Sequence, residues 1–245
     1  MLKIDHLSVS VLDSRIINAL SLIITSGSLH LLMGPNGSGK STLAYALAGH
    51  PRYTVTAKEF LFFGEECISL SPDKRAQRGF FLGVQSPPEL PGVNVLQFLK
   101  EAYAACTGHN KTIGEFQHLV EPYLAMLRLE LSFLNRSLNE NFSGGEKKRF
   151  ELLQLLLLKP KLAVLDEIDS GLDIDALGIV SSVVTHFRQE NPQSSLLIIT
   201  HNPRVAQFLS PDQVHILHKG SLVLSGDLQL IHELEQKGYD GLLHS

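Results

Sequence analysis

Apolar residues along this chain gather in short runs that stop at a glycine or a carboxylate, with stretches of helical period between them. Leu29-His30-Leu31-Leu32-Met33 ends at Gly34 and reads as a buried strand feeding a loop. From Lys40 to Ala48 helix-forming residues follow one another up to Gly49, so the order is strand, glycine-rich loop, helix. Phe60 to Phe63, ending at Gly64, and Gly79 to Val84, ending at Gln85, are two more strand-like runs. A Pro/Gly-rich loop covers 86–92, apolar positions at helical spacing run from Val93 to Ala105, and 86 to about 150 reads as a mainly helical insert. Beyond it, Leu162 to Leu165, Leu196 to Thr200 and Val214 to Leu217 are β-type runs separated by helical stretches. That alternation predicts an α/β fold, a parallel sheet with helices on its faces. The 245 residues are expected to form one domain with a subdivided interior.

Composition narrows the function without naming it. An apolar fraction of 44% and a charged fraction of 19% belong to ordinary globular proteins. A net charge of −4 argues against a nucleic-acid partner or an anionic membrane surface. The longest apolar run, about Leu155 to Leu158, is far short of the roughly 20 residues that span a bilayer. Met1 to Asp5 lacks a signal-peptide core, so no membrane insertion and a cytoplasmic location are expected. Cys67 and Cys106 have neither metal-ligand spacing nor a C-x-x-C pairing and read as packing residues.

The glycine-rich loop carries the first chemistry. Gly34-Pro35-Asn36-Gly37-Ser38-Gly39-Lys40-Ser41, with Thr42 next, fits G-x-x-x-x-G-K-[ST] between a strand and a helix. Backbone N–H groups curling around phosphate oxygens at a helix N-terminus make an ATP site, in which Lys40 reaches the β- and γ-phosphates and Ser41 ligates Mg²⁺. Leu162 to Leu165 runs into Asp166 and Glu167, carboxylates at the carboxyl end of a strand, where ligands of parallel sheets bind. Asp166 is expected in the Mg²⁺ shell and Glu167 as general base to the attacking water. His201, at the end of another strand, is expected against the γ-phosphate.

A second anion site follows in the same chain. Ser143-Gly144-Gly145-Glu146 opens a helical run continuing to Leu158, presenting a hydroxyl and free N–H groups at a helix N-terminus. One ATP has one triphosphate tail, so this site is expected to serve the ATP of a second copy, in a head-to-tail pair with two-fold symmetry.

The segment 141–149, lying 23 positions before Asp166 when counted from Ser143, resembles the signature motif of ATP-binding-cassette proteins. The resemblance spans nearly the whole chain, with Gly34 to Ser41, Gln85, Ser143 to Glu146 and Asp166-Glu167 in the family's order. It implies a RecA-like parallel core with an N-terminal antiparallel β subdomain and a helical subdomain. It implies Gln85 at the Mg²⁺ and the water, opening the partner-facing segment 86–105, and Asp173 of Ser170-Gly171-Leu172-Asp173 facing the partner copy. Many transport cassettes stack adenine on an aromatic where this chain, between Val9 and Asn18, has none. Glu146-Lys147-Lys148-Arg149, Asp169 to Leu177, Pro88 to Val93 and the ending Gln236-Lys237-Gly238-Tyr239 are similar to the ATPases of the Suf iron-sulfur cluster assembly system. That implies partners of β-helical type, SufB-like and SufD-like scaffold proteins, and a transient ATP-dependent homodimer. The alternative expectation is the nucleotide-binding subunit of a membrane transporter.

Overall fold

The computed structural model describes residues 1–243. The chain opens with a long hairpin, β1 (Leu2–Val11) and β2 (Ser14–Ile24), followed by β3 (Leu29–Met33), α1 (Lys40–Leu47), β4 (Thr54–Thr56), β5 (Glu59–Phe62), β6 (Glu65–Glu66), α2 (Pro72–Gln77) and β7 (Phe80–Gly83). Then come β8 (Leu90–Asn94), α3 (Val95–Thr107), α4 (Ile113–Met126), a 3₁₀ turn at Leu131–Asn135, β9 (Ser137–Leu138) and α5 (Gly144–Leu158). The last third holds β10 (Leu162–Asp166), α6 (Ile174–Glu190), β11 (Ser195–Ile199), α7 (Val205–Leu209), β12 (Gln213–His218), β13 (Ser221–Gly226) and α8 (Gln229–Leu243).

The main sheet runs β13-β12-β3-β11-β10-β7, parallel throughout except for the antiparallel edge pair β12–β13. All five residues of β3, β10 and β11 are buried. Continuous apolar runs of this kind are what a strand covered on both faces requires. Successive side chains point to opposite faces. Leu32, Val164, Leu197 and Ile199 therefore join one core with α1 residues Leu43 and Leu47 and the antiparallel strands' Leu2, Ile4 and Phe60. Leu31, Met33, Leu165 and Ile198 join a second core with Leu99, Phe116, Phe150 and Val183 of the helices.

The antiparallel sheet, β2-β1-β5-β6 with β4 also on β1, accounts for the N-terminal β layer that the motif resemblance implied. The segment 86–150 is less purely helical than the periodicity predicts. Leu90–Asn94 pairs with Ser137–Leu138 as a two-stranded ribbon. The helix after it begins two residues later than expected because Asn94 caps it, accepting a hydrogen bond from the Gln97 N–H at 3.1 Å. Cys67 is buried and Cys106 half-buried, and burial raises the pKa of both thiols.

Candidate active site

Four adjacent parallel strands, β3, β11, β10 and β7, deliver their carboxyl ends to one edge of the sheet. Gly34 follows the first, Thr200-His201 the second, Glu167 the third and Val84-Gln85 the fourth. Strand order is thus what collects residues that lie up to 167 positions apart in sequence.

The loop from Gly34 to Gly39 is built against its surroundings. A Cβ at Gly34 would lie 2.1 Å from the Leu217 carbonyl oxygen, and one at Gly39 would lie 2.7 Å from Ile17 Cδ1 at a φ of +108°. No side chain fits either place. The Gly220 N–H donates to the Ser38 carbonyl at 2.9 Å, and the Asn18 N–H donates to the Gly220 carbonyl at 2.8 Å, so the turn after β12 ties the loop to β2. Lys40 is buried, and its ammonium donates to the Gly34 and Pro35 carbonyls at 2.8 and 3.0 Å. Burial lowers its pKa, opposed by the charges of Glu167 and Asp166.

Asp166 is 2% exposed, and neither carboxylate oxygen makes a hydrogen bond of good geometry among the described residues. Burial raises its pKa, the nearby Ser41 hydroxyl opposes this, and the charge of Glu167 adds to it. A buried, unpaired carboxylate is costly, and beside a serine hydroxyl it fits a hard divalent cation that takes oxygen ligands. Ser41, Asp166 and Gln85 supply such oxygens.

Glu167 turns the chain with φ +53°, an uncommon conformation for a side chain of this kind, and its N–H donates to the Ile199 carbonyl at 2.9 Å. Its carboxylate accepts a hydrogen bond from Gln85 Nε2 and stands 3.4 Å from His201 Nδ1. Gln85, Glu167 and His201 therefore meet. They share a cleft of about 550 Å³ with Asn36, Gly37, Gly39, Lys40, Ser41 and Thr42. Gly34, Pro35, Ser38 and Asp166 are not in its lining; Gly34, Ser38 and Asp166 are buried and Pro35 is half-buried.

Ser143, Gly144, Gly145 and Glu146 do not line this cleft. Ser143 caps α5 in a reciprocal box: its hydroxyl accepts from the Glu146 N–H at 3.2 Å, and its own N–H donates to Glu146 Oε2 at 2.7 Å. Gly145 borders a different cavity of about 350 Å³ together with Gly171 and Asp173. Asp173 caps α6, its carboxylate accepting from the Ala176 N–H at 2.8 Å.

Two contributors were hidden from sequence reasoning. Ile16, on β2, lines the cleft within the stretch that holds no aromatic, and β2 is placed by its antiparallel pairing with β1. Asp169 is buried and accepts the Thr200 hydroxyl at 2.9 Å, joining the segment after Glu167 to the end of β11. Its position in the stretch Asp169 to Leu177 was the one available signal.

The family model described as ABC transporter matches residues 17–170, and hence the loop, Gln85, the signature segment and Asp166-Glu167. The chain belongs to the ATP-binding-cassette family. It is 45% identical over 246 residues to a probable ATP-dependent transporter of Synechocystis sp., covering 99% of this chain and 95% of that one. It is also 45% identical over 246 residues to the probable ATP-dependent transporter SufC of Escherichia coli K12, covering 99% and 98%. The solved structure of the cassette MJ0796 bound to ADP and Pi superposes with a TM-score of 0.81 at 20% identity, over 93% of this chain and 99% of that one. The expected α/β cassette architecture is the one present, and the cassette is an ATP hydrolase. Among the described residues no helix is long and apolar enough to cross a membrane.

Proposed function

We propose that this chain, one cassette domain with a helical subdomain at about 86–150, is the cytoplasmic ATPase subunit of an iron-sulfur cluster assembly complex. Its ATP-driven pairing remodels SufB-like and SufD-like scaffold proteins that dock on the segment 86–105. The supporting observation is the end-to-end similarity to SufC of Escherichia coli, joined to Glu146-Lys147-Lys148-Arg149 and the other stretches that resemble Suf ATPases. A second reading, the nucleotide-binding subunit of a membrane transporter, draws on the transporter designation carried by these relatives.

In the proposed mechanism, the N–H groups of 36–42 cradle the triphosphate and Lys40 leaves the Gly34 and Pro35 carbonyls for the β- and γ-phosphates. Ser41, Asp166 and Gln85 hold Mg²⁺, which when bound neutralises charge building on the phosphate oxygens. Glu167, steadied by Gln85 and His201, takes a proton from a water whose oxygen attacks the γ-phosphorus. The bond to the bridging oxygen breaks, giving ADP and phosphate. Gly145 and the α5 N-terminus carrying Ser143, Gly144 and Glu146 meet the ATP of a second copy, with Asp173 beside the subunit boundary.

The test is to isolate the tagged chain from its native cytosol without detergent and identify its companions by mass spectrometry. Co-purifying soluble scaffold proteins that carry iron and acid-labile sulfide are expected. Recovery only with multi-spanning membrane proteins would replace the assembly reading with the transporter reading.

A further inference from the structure

The ending Gln236-Lys237-Gly238-Tyr239 has no part in the hydrolysis described above, yet it reaches the phosphate loop. Helix α8 docks through Ile231, Leu234 and Leu242, all buried. At Gly238 the helix breaks, with φ +67° and ψ 176°, a conformation open in practice only to glycine. A Cβ there would meet nothing within 4 Å, so the demand for glycine is one of backbone shape and not of space. The break carries Tyr239 to the start of the loop, where its hydroxyl accepts a hydrogen bond from the Gly34 N–H at 3.1 Å.

Gly34 is thus held on both sides. Its N–H goes to Tyr239, its carbonyl accepts from the Lys40 ammonium at 2.8 Å, and the Leu217 carbonyl fills the space a side chain would need. Gly34 is where the loop leaves β3, so the direction of this residue sets where the following N–H groups and Lys40 stand. No other hydrogen bond to the Gly34 N–H occurs among the described residues.

We propose that Tyr239 is a positioning residue for ATP binding: its hydroxyl anchors the Gly34 amide and keeps the phosphate loop in its binding-competent form. The proposal rests on the assignment of 34–42 as the phosphate site. Tyr239 touches no reacting atom; it acts through Gly34. A preformed loop loses less ordering entropy when it closes on phosphate, so the anchor favours binding of nucleotide with little bearing on the chemical step.

Tyr239→Phe keeps the ring and removes the acceptor. Calorimetric titration with MgADP is expected to show a Kd raised about three- to tenfold, the range of one net hydrogen bond. The KM for ATP should rise in step while kcat moves less than twofold, a split that lost packing alone would not produce. Gly238→Ala, which strains the backbone without filling occupied space, should raise the Kd in the same direction. Combining the two should add little, because both act through one contact. Wild-type MgADP affinity in Tyr239→Phe overturns the proposal and leaves the loop assignment standing; a wild-type protein that binds no MgADP overturns both.

Discussion

Glu167 receives the Gln85 amide on one carboxylate oxygen and faces His201 with the other, so its carboxylate is oriented before any water arrives. Glu167→Gln should slow ATP turnover by roughly 10² to 10⁴, the scale of a lost general base, while a phosphate-release assay run beside nucleotide titration shows ATP binding intact. Asp166 behaves differently because its burial disfavours the charged form. Asp166→Asn should raise the Tm of the nucleotide-free protein while abolishing Mg²⁺-dependent turnover, since it removes an unpaired buried charge that serves the ligand and not the fold. A differential scan of both proteins without nucleotide checks the sign. These residues were legible in the sequence because each motif is short and written contiguously. Their convergence was not legible, because it depends on strand order, and neither was Asp169 with Thr200, whose partner lies 31 positions away.

Among the elements, the central strands read correctly because both faces are buried and the apolar run is interrupted internally only by His30 of β3. β1 was harder to see. Leu2 and Ile4 alternate inward, then His6 takes φ +53° and the pairing with β2 shifts register between Ile4 and Leu7, so Leu7 and Val9 resume one position late. A bulge of this kind erases the two-residue period that identifies a strand. β13, with no fully buried residue, offered only the short run Leu222-Val223-Leu224 without the alternation of a half-buried strand. β3, β12 and β13 are also joined by a polar chain whose two histidines are buried. Ser28 Oγ, His30, His215 and Ser225 Oγ follow one another at 2.9, 2.8 and 2.8 Å. Burial, reinforced by His30, lowers the His215 pKa to about 4 from an ordinary 6.5. The unfolded chain therefore takes up this proton first as the pH falls. The contribution to stability is whole above pH 6.5, declines between about 6.5 and 4, and amounts to about 3 kcal/mol in total. Urea unfolding at pH 7 and pH 5 should show the wild type losing stability relative to His215→Gln. Taking the difference cancels Glu151, whose pKa burial raises to about 7 and which works in the opposite sense.

In the whole molecule, the two halves of the proposed chemistry stand apart: the cleft around Lys40 on one side, Ser143 to Glu146 and Asp173 outside it. A single copy is incomplete on this reading, so Glu167→Gln with saturating MgATP should sediment as a dimer and revert to monomer when ATP is replaced by MgADP. A monomer under both conditions would break the pairing.

The two cores share β3, β10 and β11, one face each, and this has a consequence for how the protein is made. Leu2, Ile4 and Phe60 leave the ribosome early, but the wall they pack against includes Val164 and Leu197, which arrive only after two-thirds of the chain has been synthesised. Until then the N-terminal hairpin has half a core and exposes it, the circumstance in which long-range β contacts invite aggregation. Nascent chains arrested before residue 195 should be digested by protease along their whole length and should bind holdase chaperones. Arrest after β13 has emerged should protect the first and last strands together, in a single step.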